Sequence, residues 1–272
     1  MNVDLGKPRG VLHPRLEHGE FQHARRAPSS ALVHLIEHYW FVSWDLRGLP
    51  AQQQETLPHP NVQYVVERGL TAIYGVHTGR FVRVLEGPGH VFGIKFKAGG
   101  FFPFYGVPIS ELMDRSLDPS GLFGDDATRF EAEVFASDDM DAMSAAAEKL
   151  LLAHQPSHDP NVARASTIVA DIAKDQSLTS VEMLSQRTGL DKRALQRLFK
   201  LYVGVGPKWV INRYRLHEAI AQLQAGASIA WAELAQELGY FDQAHFIRDF
   251  RKLVGRSPAE YVRLEGKRAH SE

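Results

Sequence analysis

Two periodicities divide the chain. From about Val33 to Leu117 the apolar residues fall in short, partly alternating runs: HYWFVSWDL, VQYVVER, TAIYGVHTG, RFVRVLEG and HVFGIKFKAG. They are rich in Val, Ile, Phe, Tyr and Trp, and successive side chains of a strand point to opposite faces, so these runs predict strands. Gly69, Gly75, Gly79, Gly87 and Gly89 punctuate them as turns. Several short strands at close spacing predict an antiparallel sandwich or barrel. From about Asp126 to Ala153 the period becomes helical, with Phe130, Val134, Met140, Met143, Ala147, Leu150 and Leu151 set among Ala, Glu and Asp. HQPSHDP, His154 to Pro160, is polar and proline-interrupted and reads as a linker. After it, every pattern is helical.

The helical part contains one pattern twice. SLTSVEMLSQRTGLDKRALQRLFKLYVG runs from Ser177 to Gly204, and SIAWAELAQELGYFDQAHFIRDFRKLVG from Ser228 to Gly255. Each has a short apolar helix, a turn centred on Gly189 or Gly239, and a second helix with cationic and amide side chains between its apolar positions. Thr179 with Glu182 reads as a capping box. Asp191 and Asp242 stand at the N-cap positions of the two second helices, and Pro207 and Pro258 in the first turns of the helices that follow. Leu195, Leu198 and Phe199 form one apolar face; Phe246, Phe250 and Leu253 form the other. That leaves Lys192, Arg193, Gln196, Arg197 and Lys200, then Gln243, His245, Arg248, Arg251 and Lys252, for solvent or a polyanion. Arg can bond guanine O6 and N7 together, and Gln can pair with adenine. Lys and the flanking Arg suit phosphates. Pro207 to Gln224 predicts a connecting helix about 27 Å long at 1.5 Å per residue. Such a rod can hold two reading helices about one DNA turn, roughly 34 Å, apart.

Charge adds a direction to this. The formal net charge is -1, which by itself argues against a polyanion partner. The imbalance is internal: residues 1–159 hold 14 Lys+Arg and 20 Asp+Glu, whereas residues 160–272 hold 17 and 12. A polyanion therefore belongs to the C-terminal part. With 272 residues there is room for two cores. Cysteine is absent, which excludes disulfides, thiolate metal sites and cysteine nucleophiles and suits a reducing cytoplasm. No apolar run approaches the roughly 20 residues of a membrane span, and no secretory leader is expected at the N-terminus.

From Ser177 onward the chain resembles the DNA-binding domain of AraC/XylS-type transcription regulators. The most specific stretch is GYFDQAHFIRDFRKLVGRSPAEYV, Gly239 to Val262, supported by LQRLFK (Leu195–Lys200), GPKWVINRYRLHEA (Gly206–Ala219) and ELAQELGY (Glu233–Tyr240). The resemblance places base-contacting positions at Arg193, Gln196, Arg197, Gln243, Ala244, His245 and Arg248. It implies a phosphate contact by Arg256 and Ser257 before the last helix. Ala244 departs from a polar reader, offering only a methyl for thymine. Trp231 departs from a position usually small or polar.

The N-terminal runs, with VFGIKFKAGGFFPFYGVPISELMD, resemble a β-barrel sensory domain fused to many such regulators. A pocket lined by Trp40, Trp44, Phe92, Phe96 and Phe102 would accept an apolar or aromatic small molecule; plain core packing is the competing reading of the same residues. HLIEH, His34 to His38, matches an inverted zinc-peptidase pattern. It runs into a strand, where residues four apart lie about 13 Å apart, too far to share one metal. His59, His77 and His90 would form a metal site only through the fold. No catalytic triad order, phosphate loop or dinucleotide fingerprint is present, so neither catalysis, metal nor cofactor is expected.

The expected architecture is α+β and two-domain. Residues 1–125 form an N-terminal antiparallel β-barrel or sandwich with flanking helices, 126–159 a helical connector and linker, and 160–265 an all-α DNA-binding domain. Within the last, the helix-turn-helix units span about 178–203 and 229–254, joined by 207–224. The expected partners are double-stranded promoter DNA, a small apolar or aromatic effector, RNA polymerase and a second copy of the chain, in the cytoplasm and without a membrane. Two rivals are a constitutive regulator with an N-terminal dimerisation domain, for which 126–153 is the candidate element, and a β-barrel enzyme with a DNA-binding tail.

Overall fold

The computed structural model describes residues 18–224 and 230–269. Among the described residues, eight strands and eleven α-helices follow one another in an N-terminal β-rich part and a C-terminal helical part. The strands are β1 (Glu20–Arg26), β2 (Ile36–Leu46), β3 (Gln52–Thr56), β4 (Gln63–Glu67), β5 (Ala72–Tyr74), β6 (Phe81–Leu85), β7 (Gly87–Phe96) and β8 (Ser116–Leu117). Six form an antiparallel sheet in the order β1-β2-β7-β4-β5-β8, and β3 pairs with β6 alone. The strands therefore make two antiparallel sheets, not a closed barrel. Arg83 of β6 donates to Glu67 of β4 and ties the small sheet to the large one.

Register decides which side chains meet. In β2 and β7, Phe41 lies opposite Phe92 and Tyr39 opposite Ile94, while Trp40 lies opposite Gly93 and Trp44 opposite Gly89. Directly opposed residues share a face, so Tyr39, Phe41, Phe92, Ile94 and Phe96 point one way and Trp40 and Trp44 the other. The first face is the core. Three helices cover it: α2 (Ser120–Phe123), α3 (Asp125–Phe135) and α4 (Met140–Ala153). Phe123 and Phe130 pack on Tyr64, and Phe130 also on Phe92. The Tyr39 hydroxyl donates to Glu148 of α4 at 3.1 Å. The apolar stripe of 126–153 is thus consumed inside its own domain, with Val134, Met143, Ala147 and Leu151 all fully buried. On the opposite face Trp40 lies flat over Gly93, where an added Cβ would come within 2.1 Å of the indole.

The chain then enters α1 (Phe102–Tyr105) and a 3-10 turn, Ile109–Leu112, before the covering helices. These two short elements form the floor on which the helical part rests. The helical part is α5 (Pro160–Lys174), α6 (Val181–Thr188), α7 (Lys192–Leu198), α8 (Pro207–Gln224), α9 (Trp231–Glu237), α10 (Gln243–Val254) and α11 (Pro258–Ala269). A π-helical turn, Phe199–Val203, follows α7 directly.

Two apolar clusters hold the molecule together. The larger is continuous from the sheet through α1 and the 3-10 turn into α5, α7, the π-helical turn and the start of α8; it includes Phe101, Ile109, Val162, Ala165, Phe199, Tyr202 and Val210. The smaller comprises the end of α8, α9, α10 and Tyr261 of α11, with Leu57 from the N-terminal part. Among the described residues, no helix is long and apolar enough to cross a membrane.

Candidate nucleic-acid interface

The two helix-turn-helix units are α6–α7 and α9–α10, and α8 joins them. Local chemistry fixes where the second helix of each begins. Asp191 accepts from the Ala194 amide and Asp242 from the His245 amide, each in an extended N-cap conformation. The carboxylate satisfies one orphan N–H and its charge suits the helix N-terminus. Pro207 and Pro258 open α8 and α11 as expected. The cap of α6 differs from the sequence expectation: Ser180, not Thr179, accepts from the Met183 amide. Glu182 instead reaches Lys192 on α7. Ser228 and the start of the second pattern lie outside the described residues; Trp231 opens α9, half-buried against the smaller cluster.

On α7 and the turn after it, Leu195, Leu198 and Phe199 are buried while Lys192, Arg193, Gln196, Arg197 and Lys200 are exposed. On α10, Phe246, Phe250 and Leu253 are buried while Gln243, Ala244, His245, Arg248, Arg251 and Lys252 are exposed. Both helices therefore present the expected polar rows outward. Lys192 is engaged by Glu182, and His245 lies 3.6 Å from Asp249 one turn on. Among the described residues, Arg193, Gln196, Arg197, Lys200, Gln243, Arg248, Arg251 and Lys252 carry no side-chain hydrogen bond or ion pair. Eight uncommitted donors on two capped helices are a surface with unfilled bonding capacity for an anionic partner.

Arg256 and Ser257 differ. Arg256 donates to both carboxylate oxygens of Glu55, at 3.2 Å each. Ser257 exchanges bonds with Glu260: its amide and hydroxyl donate to Oε2 at 2.7 and 2.8 Å, and the Glu260 amide donates back at 3.3 Å. This is a capping box on α11. Both residues face partners within the chain.

The connector α8 is 18 residues long and carries two buried arginines. Arg213 lies over Trp209, 4.4 Å from the ring centroid, and donates to the Thr78 carbonyl at 2.7 Å. Burial pulls it down to about 10, still cationic at neutral pH. Arg215 lies over Tyr240, 4.0 Å from the centroid, and burial lowers it also. Tyr240 follows Gly239 (φ +70), whose missing Cβ would stand 2.6 Å from the Thr179 methyl. The turn of the second unit thus abuts the entry to the first, and Arg215 fills the seam. A side chain at position 239 meets both a left-handed backbone and a steric block.

The five aromatics expected to line one ligand pocket are not brought together. Phe92 and Phe96 are fully buried on the core face. Trp40 and Trp44 project from the other face, bonded to Gln63 and to the Glu86 carbonyl. Phe102 lies 4.3 Å from Tyr202, between the two parts of the chain. An open groove of about 600 Å³ lies elsewhere, at the end of the sheet beside α3, and its lining includes Phe41, Trp44, Arg68, His90 and Phe135. Only Trp44 of the five belongs to it. Arg68 stands 5.0 Å over the Phe135 ring. Among the described residues, no group of three or more His, Cys, Asp or Glu is placed to hold a metal.

Comparison with known proteins matches two separate segments of the chain. Residues 24–118 match a domain of unknown function (DUF6597), and residues 184–264 match a helix-turn-helix domain. An HTH-type transcriptional regulator of Haemophilus influenzae is 25% identical over 96 residues, 35% of this chain and 32% of the relative. The HTH-type regulator YkgA of Escherichia coli is 33% identical over 82 residues, 30% of this chain and 34% of the relative. The matched part thus spans about a third of the length of these curated relatives. Among solved structures, apo ToxT of Vibrio cholerae superposes with a TM-score of 0.39 at 13% identity, covering 82% of this chain and 96% of that one. Unsaturated-fatty-acid-bound ToxT gives 0.38 at 12%, covering 90% and 91%. The C-terminal part carries an AraC-type helix-turn-helix domain.

Proposed function

We propose that this chain, with its AraC-type helix-turn-helix domain, is a transcription regulator that binds promoter DNA sequence-specifically through both units and acts in the cytoplasm alongside RNA polymerase. The observation that carries this reading is the pair of capped helices, α7 and α10, whose outward rows hold Arg and Gln with no side-chain partner among the described residues. Arg197 and Arg248 are the base readers, with Gln196 and Gln243 beside them suited to adenine. Lys192, Lys200, Arg251 and Lys252 flank them and suit phosphates. Because α8 joins the units in one chain, two adjacent major grooves are addressed without a second copy.

The N-terminal domain is proposed to bind a small effector. The groove beside α3 supports this: Phe41, Trp44 and Phe135 offer apolar walls, and Arg68 offers a cation at the rim. An aromatic molecule bearing a carboxylate fits that chemistry.

Selection of bound duplexes from a random-sequence pool, followed by titration in rising salt, tests the DNA reading. A recurrent sequence and a steep fall of affinity with salt are expected. A flat salt response or no enriched sequence overturns it. For the effector, aromatic carboxylates should quench Trp44 fluorescence, and Phe135→Ala should weaken that quenching. No quenching by any of them removes the groove from the account.

A further inference from the structure

The bonds of Arg256 have a consequence beyond holding two domains together. Glu55 is the acceptor, the next-to-last residue of β3, and its side chain is only 6% exposed. It takes a bond from Arg80 Nη1 at 3.0 Å and from Arg256 at 3.2 Å. The same Arg80 nitrogen donates to the Val254 carbonyl at 3.2 Å, the last residue of α10. Gly255 lies so near that an added Cβ would stand 2.8 Å from Arg80. Two residues from Glu55, Leu57 is fully buried in the cluster of the second unit. One carboxylate of the N-terminal domain thus gathers a cation of its own domain and one at the exit of the second reading helix.

We propose that this carboxylate occupies the place of a DNA phosphate, so that seating of the second unit on the N-terminal domain and backbone contact through Arg256 exclude each other. The inference rests on the DNA reading above. Three observations give it direction. A guanidinium binds carboxylate and phosphate with the same forked geometry. Arg256 stands just past the C-cap Gly255 of α10, so it lies near whatever backbone the C-terminal end of that helix approaches. Arg80 remains on Glu55 when Arg256 leaves, so the carboxylate is never stranded without a cation, which makes exchange feasible for so buried a group. Release of the seat frees Arg256 for phosphate and the α9–α10 unit for its groove.

The test uses the full chain and a duplex selected from a random-sequence pool by the unsubstituted protein. Glu55→Gln is expected to tighten binding about tenfold, the low end of one hydrogen bond to a charged group. Arg256→Ala is expected to weaken binding and to lower the salt slope by about 1. The double substitution should behave as Arg256→Ala alone, because Glu55 acts through that arginine. Unchanged or weaker binding by Glu55→Gln, or an unchanged salt slope for Arg256→Ala, overturns the proposal and leaves the carboxylate as an interface tie. Hydrogen exchange on the unsubstituted chain gives a check independent of whether Glu55→Gln folds. Addition of the duplex should speed exchange of the β3 amides, Gln52–Thr56; no change overturns the proposal. If the unsubstituted chain binds no duplex, the DNA reading fails with it.

Discussion

The two helix-turn-helix units share a pattern and differ in how they are anchored. The first is continuous with the N-terminal domain. Its core residues belong to the same apolar cluster as the sheet, the Tyr202 ring packs tilted against Phe102 with centroids 4.3 Å apart, and the Tyr202 hydroxyl donates to Asp159 at 2.6 Å. The π-helical turn after α7 makes this possible. Its wider step, closed by the Gly204 amide on the Phe199 carbonyl at 2.8 Å, ends the reading helix and turns Tyr202 and Val203 into the core. The second unit has a core of its own and meets the N-terminal domain through Leu57, the Glu55 cluster and the Arg80–Val254 bond. Apolar burial is indifferent to anions, whereas an ion-paired seat exchanges with them. The first unit is thus held by apolar burial, the second by an ion-paired seat beside one buried leucine.

The largest expected effect tests that difference directly. Phe199→Ala and Phe246→Ala each remove a fully buried ring, a loss of about 3–5 kcal/mol. Phe199→Ala should lower the melting of the N-terminal sheet and the first unit together. Phe246→Ala should unfold the second unit and leave the sheet's transition in place. A single transition, equally lowered by both, would show the two anchorages to be equivalent.

Acid should act on the welded half. His38 is buried in β2, and burial, with Lys95 nearby, lowers it to about 4. A group depressed when folded stabilises above its unfolded pKa, near 6.5, and the contribution is lost as pH falls toward the folded value. The sheet and first unit should therefore lose on the order of 2–3 kcal/mol between pH 6.5 and about 4. Thermal melts across that window should show the loss, and His38→Leu should flatten it. An unchanged slope in the variant assigns the acid sensitivity elsewhere.

Much of this was legible from the residues. The apolar runs that became β2, β4 and β7 are dense in β-branched and aromatic side chains, and the helical part is punctuated by Asp, Pro and Gly at its boundaries. β1 (EFQHARR) and β3 (QQQET) were not, because neither has an apolar alternation; β1 is an edge strand and β3 has one strand partner, so pairing rather than burial makes them strands. The α6 cap was displaced by one residue because Thr179 and Ser180 are adjacent and chemically equivalent. The aromatic pocket failed for a reason of register: Trp40 faces Gly93 and Phe41 faces Phe92, a pairing that composition does not specify. Glu55 lay in a polar run with nothing to mark it, and only the fold brings it to Arg256, 201 positions away.

Smaller effects separate base readers from backbone contacts. Arg197→Ala and Arg248→Ala should each lose about 1–3 kcal/mol on the selected duplex and little on unrelated DNA. Equal losses on both would make that arginine a phosphate contact. Lys200→Ala should weaken all duplexes alike and lower the salt slope by about 1.

Footprinting of the full chain on its selected duplex tests the central claim most directly. Two protected segments, about ten base pairs apart on one face of the DNA, are predicted, with Arg197→Ala exposing one and Arg248→Ala the other. Protection of a single segment, or loss of both segments with either substitution, would contradict reading by two separate heads.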